Sequence, residues 1–291
     1  MKSIAITVGD PSGIGPEISV KAARDPRVVA VCRPVLYGPH STADLAAFPV
    51  GRVNADAARA AYAAIEQATA DARSGKVAAI VTAPISKEGF SLAGYPWKGH
   101  TDLLAHLCGS VEVAMMFWSE RLRVVLATVH IPLREVPAAL TRDRLRDVIA
   151  LTAKSLPNFG INTPSLAVAG LNPHAGENGL LGLEELSIIT PAIQDAVGLG
   201  VNVSGPFPAD TIFVRAARGE FDAVIACYHD QGLIPVKLMA FGRAVNVTLG
   251  LPIVRTSVDH GTAFDIAGKG VADEGSLVEA ILLAARLAPN E

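Results

Sequence analysis

Three cysteines in 291 residues, widely spaced and with no CxxC pair, leave no disulfide framework and no redox pair. Cys32 and Cys227 fall in apolar stretches, where a buried reduced thiol is the plain reading. Aromatic residues make up only 5% of the chain. No basic run stands out and the formal charge is −3, which argues against a nucleic-acid surface. No stretch approaches the ~18 apolar residues of a membrane span, so no membrane partner is expected. The first apolar run is too short for a signal core and enters a Gly-Pro turn, so the expected location is cytoplasmic. Familiar catalytic signatures are missing too. There is no GxGxxG, no GK[ST] after a glycine loop, no GxSxG and no HxxxH. Their absence removes the standard Rossmann fingerprint, the Walker loop, the nucleophile elbow and a compact helical metal motif.

What is present is a chain that is half hydrophobic, rich in Ala, Val, Leu and Gly. That composition suits helices packed on a parallel sheet. Short apolar runs predict strands at 3–8, 28–37, 76–82, 111–118, 122–130, 165–171, 201–205, 223–227 and 244–248. Alanine-rich or amphipathic stretches predict helices at 17–24, 54–74, 101–107, 142–156, 183–197, 209–217 and 276–287. The alternation implies an α/β fold with right-handed crossovers, a mostly parallel sheet and an antiparallel hairpin at 111–130. The expected organisation is one chain-long unit of two interleaved lobes around a central cleft. The sequence marks no boundary between them.

Three histidines share a position. LRVVLATVH ends at His130, SLAVAGLNPH at His174, and AVIACYH at His229. Each lies at or just past the C-terminal end of a predicted strand, the edge where open α/β sheets bind ligands. Their spacings are 174 − 130 = 44 and 229 − 174 = 55 residues. Three imidazoles on one edge suit a divalent metal with open positions for substrate; hydrogen-bonded loop histidines are the plain alternative. Gly9-Asp10-Pro11-Ser12-Gly13-Ile14-Gly15 opens a helix. It is either an anion-binding backbone or a tight turn. Lys87, Lys237 and Arg255 follow predicted strands or loops, and His100 and Thr101 open a helix, so together they offer an anion pocket. Each cation alone reads more plainly as a solvated charge. Asp259-His260-Gly261-Thr262 is one more polar turn, placing either an acid–base pair or a helix cap.

Taken in order, GDPSGIGPE at 9–17, GHT at 99–101, HIPLREV at 130–136, LNPHAGE at 171–177, YHDQGL at 228–233 and NVTLGLPIVRTSVDHGTA at 246–263 closely resemble the 4-hydroxythreonine-4-phosphate dehydrogenase (PdxA) family. The resemblance covers nearly the whole chain. It implies a two-lobed fold like that of isocitrate and isopropylmalate dehydrogenases, which agrees with the missing GxGxxG. It implies NAD-dependent, divalent-metal-dependent (Zn, Mg or Co) oxidation of a secondary alcohol on a small phosphorylated hydroxy acid, followed by decarboxylation, in pyridoxine biosynthesis. It carries metal ligands onto His130, His174 and His229, and substrate contacts onto His100, Thr101, Lys237, Asn246 and Arg255. Lys237 and Asp230 are candidate proton-handling groups. The family site lies at a homodimer interface, with His229 the expected contribution from the partner. Relatives acting on 4-phospho-D-threonate or erythronate, or on cis-dihydrodiol carboxylates, share these motifs. A phosphate acyltransferase on a related architecture is a further alternative. The segment 38–54 is shorter than the family usually carries.

Overall fold

The computed structural model describes residues 1–289. Its strands, in chain order, are β1 (Ser3–Thr7), β2 (Arg33–Tyr37), β3 (Ala79–Thr82), β4 (Ala114–Trp118), β5 (Arg123–Leu126), β6 (Leu166–Ala169), β7 (Val203–Phe207), β8 (Ala223–Ala226), β9 (Val245–Leu249) and β10 (Arg255–Ser257). The chain forms two compact units. One comprises Met1–Val111 and the chain from Val245 onward; the other is Glu112–Ala244. The fold class is α/β with mostly parallel strands.

In the first unit the strand order is β2-β1-β3-β10-β9. All neighbours are parallel except β9 and β10. In the second unit the order is β4-β5-β8-β6-β7, parallel except for the β4–β5 hairpin. The central strands AIVT, AVIA and LAVA are buried at every position. Such unbroken apolar runs are what a sheet covered on both faces requires. Each fully buried Ile or Leu on them contributes about 1.5–3 kcal/mol. The core of the second unit gathers Val124, Leu126, Ala167, Val224 and Ala226 under Ile212 and Phe213 of the helix Ala209–Ala217. In the first unit the long helix Ala55–Arg73 sets Ala68 against Ala5 and Ile80. Its N-cap is Asn54, whose side-chain oxygen accepts from the amides of Asp56 and Ala57. Among the described residues no helix is long and apolar enough to cross a membrane.

Several segments differ from expectation, among them the unforeseen strand Arg255–Ser257 and helix Lys87–Leu92. Residues 26–31 form a short helix ahead of β2, because Asp25 caps it through the Arg27 amide and Pro26 sits at its first position. Residues 185–189 are a π-helical segment leading into the helix Thr190–Gly198. Most consequential, residues 229–240, where no helix is expected, form the helix His229–Ala240. Gly232 and Pro235 read as breakers in the sequence, yet both lie inside this helix. Gly232 serves close packing: a Cβ there would stand 2.7 Å from Val124 Cγ1 and 2.8 Å from Leu126 Cδ2 on β5.

The glycine turn after β1 resolves to a tight turn. The Gly13 amide donates to the Asp10 carbonyl, Ile14 to the Thr262 carbonyl, and Ser12 to Asp10 Oδ1. A Cβ on Gly15 would lie 2.0 Å from the Val8 carbonyl oxygen. The glycines let backbone meet backbone, and these amides are spent internally. The short segment 38–54 is tied to the same turn, since the Gly51 amide donates to the Ser12 carbonyl.

Candidate active site

In the second unit β8 lies between β5 and β6, and all three run parallel. Their C-terminal ends therefore emerge side by side. His130 follows Leu126 by four residues, His229 follows Ala226 by three, and His174 follows Ala169 by five. Parallel register brings the three strand ends to one edge of the sheet.

The edge is pinned from below. Gln231 Oε1 accepts from the Cys227 amide at 2.6 Å, and Gln231 Nε2 donates to the Gly170 carbonyl at 2.7 Å. Thr128 Oγ1 donates to the Cys227 carbonyl at 2.7 Å. One buried glutamine thus ties β8 to the end of β6, and one threonine ties β5 to β8. The Cys227 thiol is pushed up to about 12 by burial, so it is an inert structural thiol.

His130 and His229 stand together, with ring centroids 5.6 Å apart. Both line a cavity of about 400 Å³ with Thr128, Val129, Ile131, Leu133, Val136, Tyr228 and Asp230. His229 is the first residue of its helix, and its Nδ1 lies 2.7 Å from Asp230 Oδ1. In the tautomer whose Nδ1 carries the proton, the carboxylate accepts from Nδ1 and Nε2 holds the lone pair. A histidine whose other nitrogen is held by a carboxylate is the usual setting of a metal ligand. Asp230 is thereby occupied in orienting His229.

His174 is exposed and stands on an unusual turn. Residues 174–178 all have positive φ, at 53°, 52°, 78°, 45° and 55°. Four of the five carry a Cβ, and such residues cost roughly 1–2 kcal/mol each in this region. Among the described residues, no three His, Cys, Asp or Glu side chains converge on a metal position within one chain. His229 lies beside His130 of its own chain, and His174 does not line their cavity. Lys237 is exposed, eight residues along the helix from His229, roughly 12 Å by helical rise. It does not line the histidine cavity.

The first unit holds the other group. Arg255 is only 2% exposed. Its Nη1 donates to Thr248 Oγ1 at 2.9 Å and its Nη2 to Thr82 Oγ1 at 2.7 Å. Its Nε has no partner among the described residues. Burial pulls the guanidinium down to about 9, so it is still a cation at neutral pH. Burying such a charge costs several kcal/mol unless a counter-charge arrives. His100 Nε2 is also buried and unpartnered. Burial, then the charge of Arg255, hold His100 well below the usual histidine range, so the ring is a neutral donor. Asn246 Oδ1 is unpartnered as well. His100 and Thr101 open the helix His100–Cys108, whose N-cap Gly99 supplies no capping side chain. A buried cation, a neutral imidazole and an uncapped helix start describe an anion site.

A family model described as "Pyridoxal phosphate biosynthetic protein PdxA" matches residues 16–284. The chain belongs to the PdxA family. Its relatives include the 4-hydroxythreonine-4-phosphate dehydrogenase of Desulforapulum autotrophicum, 47% identical over 97% of this chain and 94% of the relative. The D-threonate 4-phosphate dehydrogenase of Salmonella typhimurium is 43% identical over 99% of both chains. The crystal structure of the 4-hydroxythreonine-4-phosphate dehydrogenase from Klebsiella pneumoniae superposes with a TM-score of 0.90 at 41% identity, covering 99% of this chain and 100% of that one. This PdxA-family chain is therefore an oxidoreductase of the dehydrogenase type.

Some supporting residues escaped the sequence reading. Thr82 and Thr248 hold Arg255 but look like ordinary β-strand threonines in sequence. Gln231 lies inside YHDQGL, and its motif was the available signal. Glu185, discussed below, sits in a stretch that reads only as amphipathic helix.

Proposed function

We propose that this chain is a metal- and NAD-dependent dehydrogenase that oxidises the secondary alcohol of a small phosphorylated hydroxy acid of the 4-phosphohydroxy-L-threonine type. The observation that carries the reading is Arg255, a buried cation held by two neutral hydroxyls, with an unpartnered Nε and a neutral His100 in reach of its charge. Such a site is completed by an anion on the substrate. Arg255, His100, Thr101 and Asn246 bind the phosphate or carboxylate; Lys237, a further substrate contact by the family resemblance, lies in the second unit.

The donor set of the second unit suits a divalent ion: His130 and His229 are paired, and the carboxylate of Asp230 fixes the tautomer of His229. The third ligand is His174; in a homodimer with a shared site one of the three histidines comes from the second copy, His229 by the family resemblance. A divalent ion there supplies Lewis-acid chemistry, lowering the pKa of a bound hydroxyl and polarising the developing carbonyl. Oxidation takes a hydride from the carbinol carbon to NAD and a proton from its oxygen. Where a carboxylate lies β to the new ketone, CO₂ leaves readily. The glycine turn spends its amides internally, so no residue is assigned to the dinucleotide.

The apolar side chains Ile234, Leu238 and Phe241 lie on one exposed face of the helix His229–Ala240 or just beyond it, and they suit the dimer contact. A cytoplasmic metabolic role fits the relatives. Their names favour dehydrogenation over acyl transfer.

The test is an NADH-absorbance screen of 4-phosphohydroxy-L-threonine, 4-phospho-D-threonate, 4-phospho-D-erythronate and a cis-dihydrodiol carboxylate, with and without chelator. Chelator-sensitive turnover of 4-phosphohydroxy-L-threonine is expected. Turnover of 4-phospho-D-threonate alone moves the assignment to the Salmonella-type activity. Turnover of none with metal present sinks the reading.

A further inference from the structure

We propose that Glu185 is a positioning residue: its buried carboxylate clasps the left-handed turn that carries His174 and so sets the aim of that imidazole. The inference rests on the reading of His174 as a metal ligand.

Glu185 is only 2% exposed. Its two oxygens meet two donors of one residue at the start of the turn. Oε1 accepts from the Asn172 amide at 2.7 Å, and Oε2 accepts from Asn172 Nδ2 at 2.9 Å. Glu184 Oε2 takes the second proton of the same amide group at 2.7 Å. The middle of the turn rests on the same carboxylate. A Cβ on Gly176 would lie 2.6 Å from Glu185 Oε2, so only glycine lets the turn settle there. The turn thus starts at Asn172, passes through His174, and touches Glu185 again at Gly176.

Within the turn the Ala175 amide donates to the Asn172 carbonyl, Leu180 to the Glu177 carbonyl and Leu181 to the Gly176 carbonyl, while residues 174–178 keep positive φ. Such strain persists only where surrounding structure over-determines it. Glu185 provides that determination. It is also the first residue of the π-helical segment Glu185–Ile189, a rare form that recurs at functional sites. A carboxylate is the group the geometry asks for, because it offers two acceptors and no donor. Glutamine would satisfy one of the two Asn172 donors and set an NH₂ against the other.

The test uses the full-length protein, with Co²⁺ as a spectroscopic probe and Zn²⁺ by calorimetry. The variants are Glu185→Gln, His174→Ala and the double variant. Amide hydrogen exchange over residues 172–181 is read in the metal-free protein. Glu185→Gln is expected to speed exchange at the Ala175 and Leu181 amides. It is expected to weaken Co²⁺ binding roughly 10-fold or more, as loss of supporting contacts does, and to change the Co²⁺ absorption bands. In the His174→Ala background it should cost no further affinity, because its effect passes through His174. Wild-type Co²⁺ affinity and spectrum in Glu185→Gln, with His174→Ala weakened, overturns the clasp. A further loss in the double variant also overturns it, by showing a general structural role. Unchanged affinity in His174→Ala overturns the ligand reading, and the clasp with it. Should Glu185→Gln not fold, Asn172→Ala removes the side-chain donor alone. Weakened Co²⁺ binding there supports the clasp, and wild-type binding overturns it.

Discussion

Arg255 carries a full positive charge where water does not reach, and its hydrogen bonds go to Thr82 and Thr248 rather than to a carboxylate. The folded state is charged for this in the absence of ligand. Replacing a buried charge by an apolar side chain of similar size is often neutral or stabilising. Arg255→Met is therefore expected to keep or raise the melting temperature of the ligand-free protein. It should also abolish stabilisation by inorganic phosphate. At phosphate near 100 times its Kd the wild type gains about 2.7 kcal/mol. At the average unfolding entropy per residue that is about 4 °C for a chain of this size. Scanning calorimetry with and without phosphate reads both effects. An equal phosphate shift in the variant would remove Arg255 from the anion site. The motif containing Arg255 was legible in sequence, but its holders were not. Thr82 is 173 residues away, and a hydroxyl in an apolar strand announces no partner.

Between residue and fold stands the helix His229–Ala240, the element the sequence concealed. Gly232 and Pro235 are poor helix formers, so local propensity pointed to a loop. Tertiary packing overrides it, because a glycine lets the helix lie hard against Val124 and Leu126. Alanine normally gains about 1 kcal/mol over glycine inside a helix. Here the added methyl must enter a filled space, at roughly 1–3 kcal/mol. The larger effect wins, so Gly232→Ala is expected to lower the melting temperature by up to about 3 °C. Because His229 opens the same helix, Co²⁺ binding should weaken in parallel. A rise in melting temperature would mean that the helix stands off β5 in solution. What sequence showed well were the buried strands AIVT, LAVA and AVIA, short apolar runs, although the equally apolar run at 28–31 is helical. The end positions of the three histidines followed directly. The left-handed turn under His174 was invisible, because four of its five residues have side chains that disfavour it.

The whole molecule is shorter than its relatives. The match to the Desulforapulum enzyme runs over 322 positions against 291 residues here, so at least 322 − 291 = 31 positions have no counterpart in this chain. The histidines remain, yet among the described residues no three metal-binding side chains converge. On the proposed reading a second copy has a chemical task as well as a packing one. The surface for it is on the page: Ile234, Leu238 and Phe241 are 59%, 82% and 81% exposed. Spacings of four and three residues put them on one helical face. Covering three such side chains contributes a few kcal/mol, and a stable dimer buries more area than that face alone. Leu238→Glu sets a charge at the centre of the stripe, where desolvation would be costly. The variant is expected to run as a monomer in light scattering, while its isolated fold melts normally. Dehydrogenase turnover should fall by at least ten-fold, and Co²⁺ should bind with the weaker affinity of a two-imidazole site. A Leu238→Glu protein that is still dimeric and fully active would place the contact elsewhere. A monomeric wild type with full turnover at micromolar concentration would remove the shared site altogether, and His174 would then have to reach His130 and His229 within its own chain.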